Sequence, residues 1–219
     1  MHINVQNLIN IENKIKSNLR DSNNINLPNI IAVSKTFKID NILPLIDHGH
    51  LDFGENKIQE AVDKWTKIKE KKKNIKLHMI GKLQTNKVKV AVRLFDFIHS
   101  VDSEKLAKKI AEEQAKIKRN VKIFIQVNIG NEIQKSGIDQ SAIQNLILFC
   151  KDLGLDVIGL MCIPPANSDP TDYFKKMNEI NNSIDLNELS MGMSSDYLQA
   201  ARNNSTYLRI GSSIFGRRS

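Results

Sequence analysis

Apolar residues along the chain follow two patterns, three- and four-residue steps and short unbroken runs, and their alternation predicts helices interleaved with strands. Val5, Leu8, Ile11, Ile15 and Leu19 mark an amphipathic helix that polar Asp21-Ser22-Asn23-Asn24 ends. Asn29 to Val33 is the first strand: β-branched and apolar on both faces, as a covered parallel strand requires. A helix through Ile39, Ile42, Leu43 and Ile46 follows, then strands at 51–56, 77–81, 97–101, 121–128, 156–162, 188–191 and 207–211. Helices are predicted between them, one through Ile58, Ala61, Val62, Trp65 and Ile68, another capped at Asp102 or Ser103, and another opened by Asp169-Pro170. Eight strands alternating with helices, with no hairpin signal, predict an α/β fold, a single (β/α)8 TIM barrel over residues 1–219; an open doubly wound sheet is the alternative.

Composition narrows the class. Hydrophobic residues at 41% and charged residues at 26% suit a soluble globular protein. The two cysteines, Cys150 and Cys162, lack the number and spacing of a disulfide framework or a metal site, so reduced thiols in the cytoplasm are expected. No metal is expected either at His48-x-His50, which lacks further ligands at the right spacing. Neither an export signal nor a membrane span is expected. The net charge of +8 admits a nucleic-acid partner, but its one dense run, residues 64–73, reads as the solvated end of a helix, and no nucleic acid is expected.

Candidate chemistry sits at strand ends. In a barrel the C-terminal ends of the strands converge on one face, and there the chain places Lys35, Glu55 with Asn56, Asn128, Ser194, and Gly211-Ser212-Ser213. Lys35 is either a snorkelling surface lysine or a partly desolvated amine fit for carbonyl chemistry; its position leaves both open. Gly192-Met193-Ser194-Ser195 and Gly211-Ser212-Ser213 are either tight turns or a phosphate cup made of backbone N–H groups and hydroxyls. Arg209, a charge inside an apolar strand, is costly to bury unless it meets a partner. A lysine and a phosphate cup on one barrel face describe a site for a phosphorylated aldehyde, of which pyridoxal 5′-phosphate (PLP) is one. His99 is expected to be a strand-end hydrogen bonder and Cys162 a buried packing residue.

An ordered set of motifs carries a resemblance. It comprises Ala32-Val33-Ser34-Lys35-Thr36, Phe53-Gly54-Glu55-Asn56, His78-Met79-Ile80-Gly81, Leu83-Gln84-Thr85-Asn86-Lys87, Lys135-Ser136-Gly137, Gly159-Leu160-Met161, Ser190 to Asp196 and Arg209 to Gly216. Together, over nearly the whole chain, they resemble the YggS/PROSC family of PLP homeostasis proteins. That family is similar to the barrel domain of alanine racemases and other fold-type III proteins, without their additional β-domain. The resemblance implies that Lys35 forms the internal aldimine and Arg209 faces the pyridine nitrogen. It also implies that Ser194, Gly211 and Ser212 hold the phosphate, with Asn56 close by and Met161 near the ring. His78 and Lys135 match family motifs without an assigned role. Lys57, Lys82 and Asn203-Asn204 depart from the family's usual residues, away from the lysine and the phosphate cup. The function implied is a non-catalytic, monomeric PLP carrier that buffers the cofactor or delivers it to apo-enzymes by transient contact; a PLP enzyme with weak amino-acid racemase activity is the alternative.

Overall fold

The computed structural model describes residues 1–20, 27–132 and 134–216. Helix α1 (Ile3–Leu19) leads into β1 (Asn29–Val33), α2 (Ile39–Asp47), β2 (Asp52–Glu55), α3 (Ile58–Lys71) and β3 (Lys76–Met79). After α4 (Val88–Leu94) come β4 (Phe97–Val101), α5 (Glu104–Lys116), β5 (Lys122–Val127), α6 (Ile143–Asp152) and β6 (Asp156–Cys162). The chain continues through α7 (Thr171–Ser183), β7 (Glu188–Ser190), α8 (Tyr197–Arg202), β8 (Tyr207–Ile210) and α9 (Ser212–Phe215). All strand pairs are parallel, and β1 pairs with both β2 and β8, closing the eight strands into a barrel. The open sheet is thereby excluded. The polar stretch expected to end the first helix, Asp21 to Asn24, lies outside the described residues.

Alternation along each strand divides the core in two. Ile30 and Ala32 of β1 face outward into the large apolar layer between strands and helices, whereas Ile31 and Val33 face inward and pack with Phe97, Phe124, Met161 and Tyr207. Helix α1 joins the outer layer through asparagines: Asn4, Asn7 and Asn18 donate side-chain N–H groups to the carbonyls of Asn41, Ile214 and Leu198 at 2.8, 2.9 and 3.0 Å.

Local chemistry sets several ends. Ser103 caps α5, its hydroxyl accepting from Leu106 N–H. Asp169 accepts from Thr171 N–H at 2.9 Å, although α7 starts one residue beyond the expected Asp169-Pro170 opening. Helix α9, four residues long, is too short to show periodicity and was not anticipated. The basic run differs from expectation: Trp65 is fully buried, the Lys64 side chain is 8% exposed, and both lie on the barrel side of α3. Lys67, Lys71, Lys72 and Lys73 are solvated, and Lys69 is half-buried.

Candidate functional site

Continuing the inward parity of β1 from Ile31 and Val33 brings Lys35 to the barrel mouth, where the chain turns sharply at Thr36 (φ 69°). Glu60 accepts the Thr36 N–H, and Lys64 Nζ donates to the Ser34 carbonyl at 2.8 Å and to Glu60 at 3.0 Å. The same ammonium reaches Glu55 at 2.8 Å, which also accepts from Ser34 Oγ at 2.7 Å and Trp65 Nε1 at 2.9 Å. The turn carrying Lys35 is thus gripped from behind on both sides. Phe37 then stacks on Phe215 at 4.9 Å, tying this turn to α9.

Glu55, expected at the mouth, lies outside it. It has the outward parity of β2, is fully buried against α3, and belongs to the clamp. Asn56, one residue on, has the inward parity and lines the mouth. Its Oδ1 is buried without a hydrogen-bond partner. Gly81 permits this arrangement, because a Cβ there would lie 2.4 Å from the Asn56 carbonyl oxygen.

On the strand next to β1, the inward face of β8 carries Tyr207, Arg209 and Gly211 in succession. Arg209 is 4% exposed; its guanidinium donates to Ser190 Oγ at 2.6 Å and to the Cys162 carbonyl at 2.8 Å, and burial lowers its pKa. Beyond it, the N–H groups of Gly211 and Ser213 both donate to Ser194 Oγ at 3.3 Å. Gly192 starts the loop that presents Ser194: its φ is 89°, and a Cβ would lie 2.5 Å from Ala200 Cβ.

These groups open into one cavity of about 1030 Å³ lined by Lys35, Asn56, Ser194, Arg209, Gly211 and Ser212, six of the seven residues singled out from the sequence. The seventh, Met161, lies below in the inward-facing core. Lys82 and Lys135 also line the cavity. Lys135 pairs with Glu132 and donates to the Pro164 carbonyl at 3.1 Å. Among the described residues the lining contains no Asp, Glu, His, Tyr or Cys, so its ionisable groups are cationic. Such a cavity suits an anion, its carbonyl carbon within reach of an amine. His78 and His99 lie inside the barrel and not at its mouth. Neither the clamp nor these interior contacts were legible from spacing, because their members come from strands and helices far apart in the chain.

Cys162 is buried, its thiol pushed up to about 12, as its packing role leads one to expect. Among the described residues no cluster of His, Cys, Asp and Glu could hold a metal ion, and no helix is long and apolar enough to cross a membrane.

Residues 11–219 match the family model for the alanine racemase N-terminal domain. The chain is 35% identical to the pyridoxal phosphate homeostasis protein of Haemophilus influenzae, over 99% of this chain and 97% of that protein. It is also similar to the solved structure of PipY from Synechococcus elongatus PCC7942 with PLP bound, with a TM-score of 0.80 and 31% identity over 92% of this chain and 100% of that one. A histidine racemase from Leuconostoc mesenteroides aligns with a TM-score of 0.70 at 17% identity; it shares the barrel, and this chain covers 57% of it.

Proposed function

The chain belongs to the family of pyridoxal phosphate homeostasis proteins, built on the alanine racemase N-terminal domain, and from that premise we propose that it holds PLP reversibly on Lys35 and buffers it or delivers it to apo-enzymes. The observation that carries this reading is the meeting in one cavity of the Lys35 amine, the Arg209 guanidinium and the hydroxyl and N–H groups around Ser194. The donor set fits the cofactor. Gly211, Ser212 and Ser213 offer backbone N–H groups and Ser194 a hydroxyl to a phosphate, Arg209 offers N–H to a ring nitrogen, and Asn56 Oδ1 is an unused buried acceptor in the same wall. Met161 would support the ring from the core below. When bound, PLP supplies an electrophilic aldehyde that a lysine amine captures reversibly.

The residues present support retention without turnover. A guanidinium donates hydrogen bonds but does not give up its proton, so Arg209 leaves the ring a weak electron sink. Racemisation also needs a second acid/base, and among the described residues the lining offers, besides Lys35 and Arg209, only Lys82 and Lys135, the latter held by Glu132. The same reading makes the chain a single monomeric barrel domain that acts in the cytoplasm and meets recipient enzymes only transiently.

The test is spectroscopic. The purified protein incubated with PLP is expected to show a visible band that borohydride abolishes while fixing the cofactor to Lys35; the band is absent in Lys35→Ala. A band that survives in Lys35→Ala refutes the assignment of the lysine. Steady-state racemisation of amino acids at enzymatic rates refutes the carrier.

A further inference from the structure

Below the cavity, five side chains from five strands form an unbroken hydrogen-bonded line. Asp52 Oδ1 of β2 meets His78 Nε2 of β3 at 3.0 Å, and His78 Nδ1 meets His99 Nε2 of β4 at 2.9 Å. His99 Nδ1 meets Ser190 Oγ of β7 at 2.8 Å, and Ser190 Oγ accepts from Arg209 of β8 at 2.6 Å. The line starts at the first residue of β2, beside a groove of about 380 Å³ at the N-terminal face, and ends on a residue lining the cavity at the opposite face. Both imidazoles are fully buried and fixed by stacking, His78 on Phe97 and His99 on Phe124, each at 4.2 Å.

This geometry admits one order of protons at neutral pH. An ionised Asp52 only accepts, so His78 carries its proton on Nε2 and offers Nδ1 as acceptor. His99 then donates from Nε2 and accepts at Nδ1 from the Ser190 hydroxyl, whose oxygen accepts from Arg209. Burial holds both imidazoles below the ordinary histidine range, and for His99 the neighbouring His78 and Arg209 act in the same direction. Burial is the largest single influence on the Asp52 carboxyl and works to raise it, but the hydrogen bond from His78 and the charges of His78, Lys76 and His50 together hold the carboxyl below its ordinary value.

A proton taken up by the pair changes the upper end of the line whichever ring holds it. On His78, Nδ1 becomes a donor, forcing His99 to accept at Nε2 and carry its proton on Nδ1; on His99, Nδ1 is protonated directly. Either way Ser190 Oγ receives a second donor, and its own hydrogen loses its acceptor. We propose that His78, His99 and Ser190 are positioning residues for Arg209: a proton taken up by the imidazole pair makes His99 compete with Arg209 for Ser190 Oγ, loosens the guanidinium and so weakens its hold on a ligand in the cavity. The groups that set when this happens are His50 and Lys76 beside Asp52, Lys76 and Asp96 beside His78, and Arg209 and Tyr207 beside His99, with Glu188 toward Tyr207. The consequence for PLP rests on the function proposed above; the proton order does not.

The test uses the full chain with 15N-labelled histidine and arginine, first without cofactor, from about pH 8 down to about pH 4. At the upper end both rings are expected protonated on Nε2; on acidification His99 Nδ1 gains a proton in one step, and the Arg209 guanidinium resonances shift at the same pH. Asp52→Asn, nearly isosteric and remote from the cavity, removes the carboxylate that favours the charged pair and is expected to move that step down by about one pH unit or more. The Kd for PLP is expected to rise about tenfold across the step in the wild type, and that rise to move down in parallel in Asp52→Asn. The proposal is overturned by a His99 already protonated on Nδ1 at the upper end, by Arg209 resonances that ignore the step, or by a Kd profile that stays fixed when Asp52→Asn moves the histidines. Absence of PLP binding alongside the expected histidine and arginine behaviour would refute the cofactor reading, while the proton order would stand.

Discussion

Replacing Lys64 by methionine keeps the length and apolar stem of the side chain but removes the ammonium that faces Glu55, Glu60 and the Ser34 carbonyl. Glu55 is fully buried and the Lys64 side chain is 8% exposed, so this ion pair is screened little by solvent. Breaking a buried pair from one side costs about 3–5 kcal/mol, because the remaining charge is left uncompensated. Glu55 would keep the donors from Ser34 and Trp65, which favours the lower end, about 3 kcal/mol. For a chain of 219 residues that corresponds to a fall in Tm of roughly 6–12 °C. Urea denaturation of Lys64→Met, Glu55→Gln and the double variant forms a double-mutant cycle, and the double variant should be more stable than Lys64→Met alone, since the neutral amide that replaces the Glu55 carboxylate leaves no buried charge. The clamp also holds the turn carrying Lys35, so Lys64→Met should capture PLP more slowly even where it is fully folded. A single-variant cost below about 1 kcal/mol, or strict additivity across the cycle, would show that Lys64 acts as a surface lysine and would refute the clamp.

Ser194→Ala removes the oxygen on which the Gly211 and Ser213 N–H groups converge; PLP affinity should fall about tenfold in a spectral titration, with little change in Tm, and unchanged affinity would exclude Ser194 from the cup. Burial lowers the pKa of His50, His78 and His99 from 6.5, so their contribution to stability is fully present above pH 6.5 and is lost as the pH falls toward their folded values, where the unfolded chain takes up protons that the folded chain does not. Asp52, lowered from 3.8, adds stability that is lost only at more acid pH. Urea midpoints measured downward from neutrality should therefore drop, by up to about 1.4 kcal/mol per pH unit for each histidine, and flat midpoints between about pH 7 and about pH 5 would contradict neutral, buried imidazoles. Both cysteine thiols are pushed up to about 12 by burial, so a thiol-titrating disulfide reagent should find none in the native protein and two in urea; rapid native labelling would place a cysteine at the surface.

The order of strands and helices was legible because each strand is a short apolar run bounded by polar or glycine residues, and β4 and β6 fall where the runs lie. The cavity was legible because inward-facing positions just past the strand ends must converge in a closed parallel barrel. The same apolar runs conceal which face of a strand looks inward. A strand covered on both sides carries no alternation, and so Glu55 and Asn56 looked equivalent although one belongs to the clamp and the other to the cavity. The four-residue α9 fell below the length at which periodicity exists. The interior line escaped for a different reason: Asp52, His78, His99, Ser190 and Arg209 come from five strands, and only the barrel's closure and stagger bring them within hydrogen-bond distance.

Arg209 is the one member of that line whose burial was questioned from the sequence, and its answer lies deeper in the barrel than the cavity it lines. Its two nearest acceptors, Ser190 Oγ and the Cys162 carbonyl, are uncharged, so neither neutralises a guanidinium that is 4% exposed. The carboxylate whose charge bears on it is Asp196, and from below it is supported by a line to Asp52 through two imidazoles and a hydroxyl whose dipoles all point the same way. An apolar filling, which small barrels commonly use in place of such a line, would leave the guanidinium without an acceptor below it and free to turn. The aligned chain does the reverse: it supports the charge and also fixes the direction of the remaining N–H groups, because each link has one donor and one acceptor. Arg209 is therefore oriented at the cavity wall by the polar interior beneath it.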